Sequence, residues 1–384
     1  MRIAVVSSRY PSPHSPYEYA FVHTRVKQYL AKGEQVTVLV PAKERAAYEF
    51  EGVRVHRMPV AEMPAILGQH EVAMLHLLHV SYVPERDGSL IYEFLWREQQ
   101  PTVMFVHGIE VQKVFLARRE QIHWLQPRSI AVSLYHDFFQ IPKMRRHLVR
   151  FLEAHPRVRF VAVSRWMLAE VKRNLGLDLS AKAEIIPNGI NTQLFAFKDR
   201  WAFRQRLLTI RPLILGGKYA VDLALETMRY VPPSISLDIY GRGPHAAKIR
   251  DRIQAYGLQR QVRLSEGFFA HPELPQVHEG HGIYYAVTRM DAQGVSMCEA
   301  MASGLPVVSF AICGIPEFVH HGQTGLLIPP YDVRRAAEAI QALVEDPNLY
   351  RRLAEGARRF AESISIERTT GRELALARAL LTRA

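Results

Sequence analysis

At 384 residues, the chain exceeds the size at which one hydrophobic core usually suffices, so two domains of roughly 150 to 200 residues each are expected. Its 48% hydrophobic and 22% charged residues are ordinary for a globular protein and exclude a fibrous or disordered chain. The formal net charge of +12 indicates an anionic partner. Charge alone does not distinguish nucleic acid, a membrane surface and a phosphorylated substrate.

Cysteine usage and hydropathy predict the compartment. Cys298 and Cys313 are too few for a disulfide framework, and no clustered Cys/His pattern suggests structural zinc. The opening apolar run, residues 3–6, is too short for a signal peptide, and no later run reaches the ~18 residues of a membrane span. We therefore expect a cytoplasmic protein.

The N-terminal half begins with a βαβ unit. The pattern predicts a buried strand over residues 2–8, an amphipathic helix over Ala20–Ala31 ended by Gly33, and a β-branched strand over residues 35–40. Such a unit opens a parallel sheet. Further strands are predicted where short apolar runs recur, at residues 72–80, 102–106 and 158–163.

The C-terminal half repeats this alternation. Helices are predicted at 220–230, 245–256, 295–303 and 333–345, and strands at 236–240, 261–264 and 306–310. The pattern predicts an α/β protein of two doubly wound, Rossmann-like domains facing each other across a ligand-binding cleft. We place the N-terminal domain at residues 1–195, joined by a C-terminal helix at 366–384, and the C-terminal domain at 196–365, with a hinge near 188–211.

The densest motif runs from Asp291 to Val308, where a glycine-containing loop precedes a short helix and a buried strand. Unpaired backbone N–H groups at a helix N-terminus favour anions, so Gly294, Val295 and Ser296 are candidates to hold a pyrophosphate. Glu299 lies one turn further on, where a carboxylate accepts hydrogen bonds from ribose hydroxyls. Asp291 taken alone is equally explained as a favourable helix-dipole partner.

This motif resembles the retaining, family 4 (group 1) glycosyltransferases of the GT-B fold. In that family two acids are separated by seven residues, and the second acid begins a Glu-Ala-Met-Ala-x-Gly-x-Pro-Val-Val run. Asp291 and Glu299 have that spacing, although Asp stands first where Glu is usual, and Ala292-Gln293-Gly294 replaces the common Gly-Phe-Gly. The resemblance implies that Asp291 contacts the transferred sugar, that Glu299 contacts the nucleotide ribose, and that residues 294–296 donate to the diphosphate.

The same resemblance extends to other parts of the chain. Arg211 and Lys218 correspond to the family's basic pair, which would offset the charge of a departing nucleoside diphosphate without a metal, so no cofactor is expected. Gly241 and Arg242, after a predicted strand, resemble the loop beside the nucleotide base. His107, after the strand at 102–106, resembles the active-site His near the donor sugar.

Two other similarities favour structural roles. Ser164 is predicted to cap the helix that follows it, and Asn188-Gly189 to form a turn. The family's early Gly-Gly, which often lines the acceptor side, is replaced by residues 12–19 with their prolines.

The segment from Trp124 to Phe151 mixes aromatic, apolar and basic residues. Its basic part, including Lys143, Arg145, Arg146 and Arg150, has helical spacing and suits an anionic membrane surface at the inner face of the membrane, although ordinary packing against the sheet explains it equally well.

The sequence therefore predicts an enzyme that transfers sugar from a UDP- or GDP-sugar to a saccharide or lipid-linked acceptor, in surface polysaccharide or glycolipid assembly. A nucleotide-sugar epimerase or a phosphorylase would use the same cleft. A nucleic-acid-binding protein would explain the charge but not the acid pair, and no recognition module is present in the sequence.

Overall fold

The computed structural model describes residues 1–382 apart from Tyr17, Leu77, Tyr82, Glu120, Gln121, His123, Leu125 and Phe268. The chain forms two compact units, one of Met1–Gly189 together with Ile366–Ala384 and one of Ile190–Ser365. The division predicted after residue 195 is thus found after residue 189. The last two residues of the predicted helix 366–384, and Leu125 within the predicted aromatic and basic segment, lie outside the described residues.

Each unit has its own sheet. The strands are β1 (Arg2–Ser7), β2 (Gln35–Pro41), β3 (Ala46–Phe50), β4 (Val53–Met58), β5 (Val72–His76), β6 (Thr102–Val106), β7 (Val158–Ala162), β8 (Ala183–Ile185), β9 (Arg206–Ile210), β10 (Ser236–Gly241), β11 (Val262–Glu266), β12 (Ile283–Tyr285), β13 (Val307–Phe310) and β14 (Gly325–Ile328). The first sheet has the order β3-β4-β2-β1-β5-β6-β7-β8 and the second β11-β10-β9-β12-β13-β14.

Helices flank these strands. They are α1 (Ala20–Ala31), α2 (Met63–Leu67), α3 (Ser89–Arg97), α4 (Val114–Ala117), α5 (Pro127–Tyr135), α6 (Ile141–Ala154), α7 (Arg165–Leu175), α8 (Val221–Met228), α9 (Ala246–Ala255), α10 (Leu274–Glu279), α11 (Val295–Ala302), α12 (Val333–Glu345), α13 (Pro347–Ser363) and α14 (Ile366–Leu381). No described helix is both long enough and apolar enough to cross a membrane. The predicted helix at 20–31 is found at those bounds.

Both sheets are parallel apart from one pair. β3 and β4 pair antiparallel through a turn at Glu51 and Gly52, whose φ angles of 43° and 78° match a tight hairpin turn. Every other paired strand in the described sheets runs parallel. The prediction of two parallel α/β domains is confirmed, whereas the hairpin was missed because residues 46–50 carry mostly exposed side chains.

The predicted hinge at 188–211 was too long. Its last part, Arg206–Ile210, is β9, the strand between β10 and β12 in the second sheet. Leu207 and Leu208 are fully buried there. A five-residue strand that begins with an arginine gives a weak hydrophobic signal, which explains the error.

The C-terminal helix α14 completes the first unit. Leu374, Ala377 and Leu380 are buried in the same cluster as the residues of β1. The Arg25 Nε on α1 donates to the buried carboxylate of Glu373 at 2.9 Å. A buried ion pair of this kind joins the last helix to the first one, and breaking it is costly.

The predicted cap on α7 is confirmed. The Ser164 hydroxyl accepts a hydrogen bond from the Met167 N–H at 3.3 Å, and the helix ends at Gly176 with a φ of 65°. The helix starts three residues after the end of β7, at the edge of the sheet where the strands end.

Candidate functional site

The loop before α11 is folded around Asp291. One carboxylate oxygen, Oδ1, accepts hydrogen bonds from the N–H groups of Gln293 at 3.2 Å and Gly294 at 3.0 Å. Gly294 has a φ of 76°, a conformation that favours glycine. Asp291 therefore fixes the turn that starts α11, a positioning role that the sequence motif did not reveal.

The first turn of α11 presents the predicted anion-binding groups. The amides of Val295 and Ser296 lie in the first turn, where no intrahelical acceptor exists, and both residues are half-buried. The positive end of the helix dipole adds to their attraction for an anion. This geometry suits a phosphate, as the sequence predicted.

Tyr284 on β12 connects this helix to β9. Its hydroxyl donates to the Ser296 Oγ at 2.9 Å and lies 3.4 Å from the Ile210 nitrogen. Burial raises the pKa of Tyr284, with Arg211 opposing that rise, so the phenol stays protonated. Tyr284 was not predicted from the sequence, because Ile283-Tyr284-Tyr285 is also what an ordinary buried strand contains.

Glu299 is almost fully buried and already has a partner. Its Oε1 lies 2.8 Å from His271 Nε2, and the Phe195 ring packs edge-on against the His271 ring at 5.4 Å between centroids. A ribose bound by Glu299 would share the carboxylate with His271. The histidine was missed because it stands 28 residues earlier, in the loop after β11.

Arg211 and Lys218 supply positive charge beside β9. Arg211 is 5% exposed, and its Nε has no hydrogen-bond partner among the described residues. Lys218 is half-buried, and its Nζ lies 4.8 Å from the Tyr219 ring centroid. Neither forms an ion pair with a described carboxylate. A buried arginine nitrogen without an acceptor is costly, so an anionic ligand would relieve it.

Hydrogen bonds hold the loop that contains Lys218 against the segment before Asp291. Arg289 donates two hydrogen bonds to the Asp222 carboxylate at 2.9 and 2.6 Å and one to the Gly217 carbonyl at 3.1 Å. Burial tends to raise the pKa of Asp222, but the hydrogen bonds and charge of Arg289 outweigh it and lower that pKa. The Thr288 hydroxyl also donates to the Lys218 carbonyl at 2.8 Å.

Gly241 and Gly243 are required by the chain itself. A Cβ on Gly241 would lie 1.8 Å from the Arg211 carbonyl oxygen, and one on Gly243 would lie 2.4 Å from that of Leu213. The groups that approach these glycines closely therefore belong to the backbone of residues 211–213. Arg242 between them has an exposed side chain.

His107 lies in the first unit, directly after β6. Its Nε2 is 3.2 Å from Nδ1 of the buried His76 at the end of β5, and the Phe21 ring packs on it at 4.8 Å. Burial, and then the positive charge of Arg25, lower the pKa of His107 well below its usual value. The ring is therefore neutral near pH 7, and His76 fixes its orientation. His76 was not predicted from the sequence.

Glu110 organises the turn that follows His107. Its two carboxylate oxygens accept from the N–H groups of His107 at 2.5 Å and Gly108 at 3.1 Å. Burial raises the pKa of Glu110 to about 7 despite these hydrogen bonds. The His-Gly-Ile-Glu sequence held this signal, but no role was predicted for the glutamate.

The segment predicted to contact a membrane forms α5, a π-helical turn at His136–Gln140, and α6. Lys143 pairs with Asp87 at 2.6 Å, and the Arg145 Nε donates to the Leu175 carbonyl at 2.8 Å. These two basic residues thus have structural partners. Arg145, Arg146 and Arg150 are nevertheless exposed. The segment also exposes aromatic rings, since Phe138 and Phe139 are 68% and 63% exposed.

Comparison with known proteins finds a family match within the second unit. Residues 215–360 match the model described as glycosyl transferases group 1. The chain is 25% identical over 248 residues to the alpha-D-kanosaminyltransferase of Streptomyces kanamyceticus, covering 55% of this chain and 63% of that protein. It is 28% identical over 214 residues to the GDP-mannose-dependent alpha-(1-6)-phosphatidylinositol monomannoside mannosyltransferase of Mycolicibacterium smegmatis, covering 51% and 56%. The matches thus span less than two thirds of either relative.

The fold is shared over the whole chain with a solved structure. Anabaena Alr3699/HepE, solved in complex with UDP, matches with a TM-score of 0.74 and 14% identity, covering 99% of this chain and 100% of that one. At this identity the likeness is one of fold, and it confirms the predicted GT-B fold.

Proposed function

We propose that this chain, which belongs through its second unit to the group 1 glycosyl transferases and has the GT-B fold, moves a sugar from a UDP- or GDP-sugar to a saccharide or glycolipid acceptor. The observation that carries this proposal is the pair Arg211 and Lys218, which have no described carboxylate partner and lie in the same unit as the first turn of α11. Together they offer positive charge and unpaired amides to a diphosphate.

The proposed chemistry follows from the leaving group. Breaking the bond between the sugar and the diphosphate places negative charge on the departing phosphate oxygens. Arg211 and Lys218 would stabilise that charge by hydrogen bonds and Coulomb attraction, and the amides of Val295 and Ser296 would add to it. Because these groups are already positioned, the proposal needs no metal ion and no cofactor.

The donor's other parts are assigned to the two acids. Glu299 would accept from the ribose hydroxyls and Asp291 would contact the sugar, in line with the family resemblance. His107 is neutral and so suits hydrogen bonding to a sugar hydroxyl. The same resemblance supports retention of the sugar's anomeric configuration, which proton NMR of the product would reveal.

Calorimetry with UDP and GDP tests the donor assignment and the absence of a metal together. We expect at least one of them to bind with the same affinity in the presence and absence of EDTA, because Arg211 and Lys218 take the place of a cation. Binding that disappears with EDTA would contradict the metal-free site. The absence of binding by either nucleotide would contradict the proposed function.

Two alternatives fit the site less well. The relatives named above are transferases by name, which disfavours a nucleotide-sugar epimerase or a phosphorylase. A nucleic-acid partner would leave the buried Arg211 without a role.

We also propose that the acceptor is presented at an anionic membrane surface in the cytoplasm, as in surface polysaccharide or glycolipid assembly. Phe138 and Phe139 project from the π-helical turn, and the Tyr135 ring stacks on Phe139 at 5.3 Å between centroids. The exposed Arg146 lies on the next helix. Aromatic rings beside basic side chains suit the boundary between lipid headgroups and acyl chains.

Vesicle co-sedimentation tests the membrane contact. Wild-type protein should sediment with anionic vesicles at low salt and less at high salt. Changing both Phe138 and Phe139 to serine should weaken binding by about tenfold or more, since each buried ring is worth roughly 1.5 to 3 kcal/mol. Phe203→Ser, at an exposed phenylalanine of the second unit, serves as the control. If the wild-type protein does not sediment with anionic vesicles at low salt, the proposed membrane contact is refuted.

A further inference from the structure

A cavity of about 600 Å³ opens in the first unit, on the edge of the sheet where the parallel strands end. Its lining includes Ser8 and Arg9 after β1, His79 after β5, and Ile109 and Glu110 after β6. Open parallel sheets bind ligands at this edge. The cavity lies in a different unit from Arg211 and Lys218, and its described lining includes neither Asp291, Glu299 nor a residue of α11.

Four arginines line this cavity, namely Arg9, Arg86, Arg118 and Arg128. Arg9 forms a salt bridge with Glu18, with 3.0 Å between Nη1 and Oε1. Arg118 is 9% exposed and so is held in place by its surroundings. Arg86 and Arg128 are exposed, and no described carboxylate pairs with either one. The cavity therefore concentrates guanidinium groups, the side chains best suited to bind phosphate oxygens in pairs.

The titratable neighbours reflect this positive potential. Burial, followed by the charges of Arg9, His136 and Arg118, lowers the pKa of His79 to about 4. Burial raises the pKa of Glu110 to about 7, so this carboxylate offsets only part of the positive charge near neutral pH. Glu110 is the one acidic residue among the described residues that line the cavity.

One part of the lining, the apolar wall, is formed by apolar side chains, with polar side chains such as Ser133 and His136 beside them. Val114, Ile141 and Met144 are buried along it, while Val132 on α5 both lines the cavity and is 58% exposed. The exposed Tyr135 stands less than one turn further along α5. The cavity thus offers apolar contacts to a group attached to a phosphate at the arginines.

We propose that this cavity binds the phosphate or pyrophosphate group of the sugar acceptor, with Arg86, Arg118 and Arg128 contacting the phosphate oxygens and the apolar wall receiving the group attached to it. This inference rests on the proposed function, because it makes the cavity the acceptor site of a sugar transfer. It adds the chemical class of the acceptor, which neither the family match nor the fold specifies.

Calorimetry with inorganic pyrophosphate tests the site. The full-length protein is first saturated with whichever of UDP or GDP binds it, so that the donor site is occupied and cannot contribute to the signal. Pyrophosphate should then bind the wild type, and with lower affinity as salt is raised. Changing Arg86 and Arg128 to glutamine should weaken this binding by about tenfold or more, as loss of charged hydrogen bonds does.

A matched arginine variant serves as the control, and different results would contradict the phosphate site and the proposed function. Arg97→Gln removes an exposed arginine of the same unit outside the cavity and should bind pyrophosphate as the wild type does. Equal affinity in wild type and in the Arg86/Arg128 variant, or no pyrophosphate binding at all, would overturn the phosphate site. Failure of both nucleotides to bind in the first step would instead overturn the proposed function.

Two further titrations identify the source of the phosphate. Farnesyl pyrophosphate carries an apolar chain, whereas glucose 1-phosphate carries a sugar. Tighter binding of farnesyl pyrophosphate than of pyrophosphate, reduced by Val132→Ser, would assign the site to a lipid-linked acceptor. Tighter binding of glucose 1-phosphate would assign it to a soluble phosphorylated saccharide.

Discussion

Replacing Arg211 or Lys218 with alanine should slow sugar transfer by on the order of 10²-fold or more, the usual consequence of removing a positioned donor that stabilises transition-state charge. Arg211 is 5% exposed, and its Nε has no described acceptor. The folded protein therefore already includes the unfavourable free energy of burying this charge. That arrangement is expected where a ligand supplies the missing acceptor. The turnover number with saturating donor is the quantity to measure.

The controls separate chemistry from folding. Arg352→Ala removes an exposed arginine on α13 of the same unit and should leave turnover unchanged. Lys218 is only half-buried, so its alanine variant should melt close to the wild-type temperature. Full activity in both the Arg211 and Lys218 variants would refute their role at the diphosphate.

Glu299→Ala should weaken binding of the nucleoside diphosphate by about 10- to 100-fold, the range expected for losing hydrogen bonds to a charged group. The carboxylate is almost fully buried and lies 2.8 Å from His271, so it is held in one orientation before the nucleotide arrives. Asp291→Ala should instead lower turnover of the nucleotide sugar more than affinity for the nucleotide, since Asp291 is assigned to the sugar.

Asp291 has two roles that a second variant separates. Asp291→Asn keeps an Oδ1 that accepts from the Gln293 and Gly294 amides but removes the negative charge. If the charge acts on the sugar, turnover should fall in the asparagine variant while nucleotide affinity is kept. Equal losses of nucleotide affinity in Glu299→Ala and Asp291→Asn would contradict the division of roles.

Much of the fold could be predicted from the sequence because its elements have regular hydrophobic patterns. The helices at 20–31 and 333–345 are found at the predicted bounds, and the cap at Ser164 has the predicted hydrogen bond. The errors occur where the pattern is weak. The strand at 206–210 begins with a charged residue, and the hairpin at 46–58 is mostly exposed on its outer strand.

The site was predicted less completely, for a physical reason. A motif identifies residues near one another in sequence, whereas the site depends on partners that are distant in the sequence. His271 reaches Glu299 across 28 residues, and His76 reaches His107 across 31. Tyr284 looks like any buried strand residue until its hydroxyl is seen to contact Ser296. Gly241 and Gly243 are likewise required by a distant segment, because the backbone of residues 211–213 approaches them closely.

The thermal stability of the protein with a panel of nucleotide sugars tests the central claim most directly, because a ligand that binds only the folded state raises the melting temperature with its concentration. We expect one UDP- or GDP-sugar to raise the melting temperature of the wild type in the presence of EDTA, and to do so much less in Glu299→Ala. A panel in which no nucleotide sugar changes the melting temperature at millimolar concentration would contradict the assignment of this chain as a nucleotide-sugar-dependent transferase.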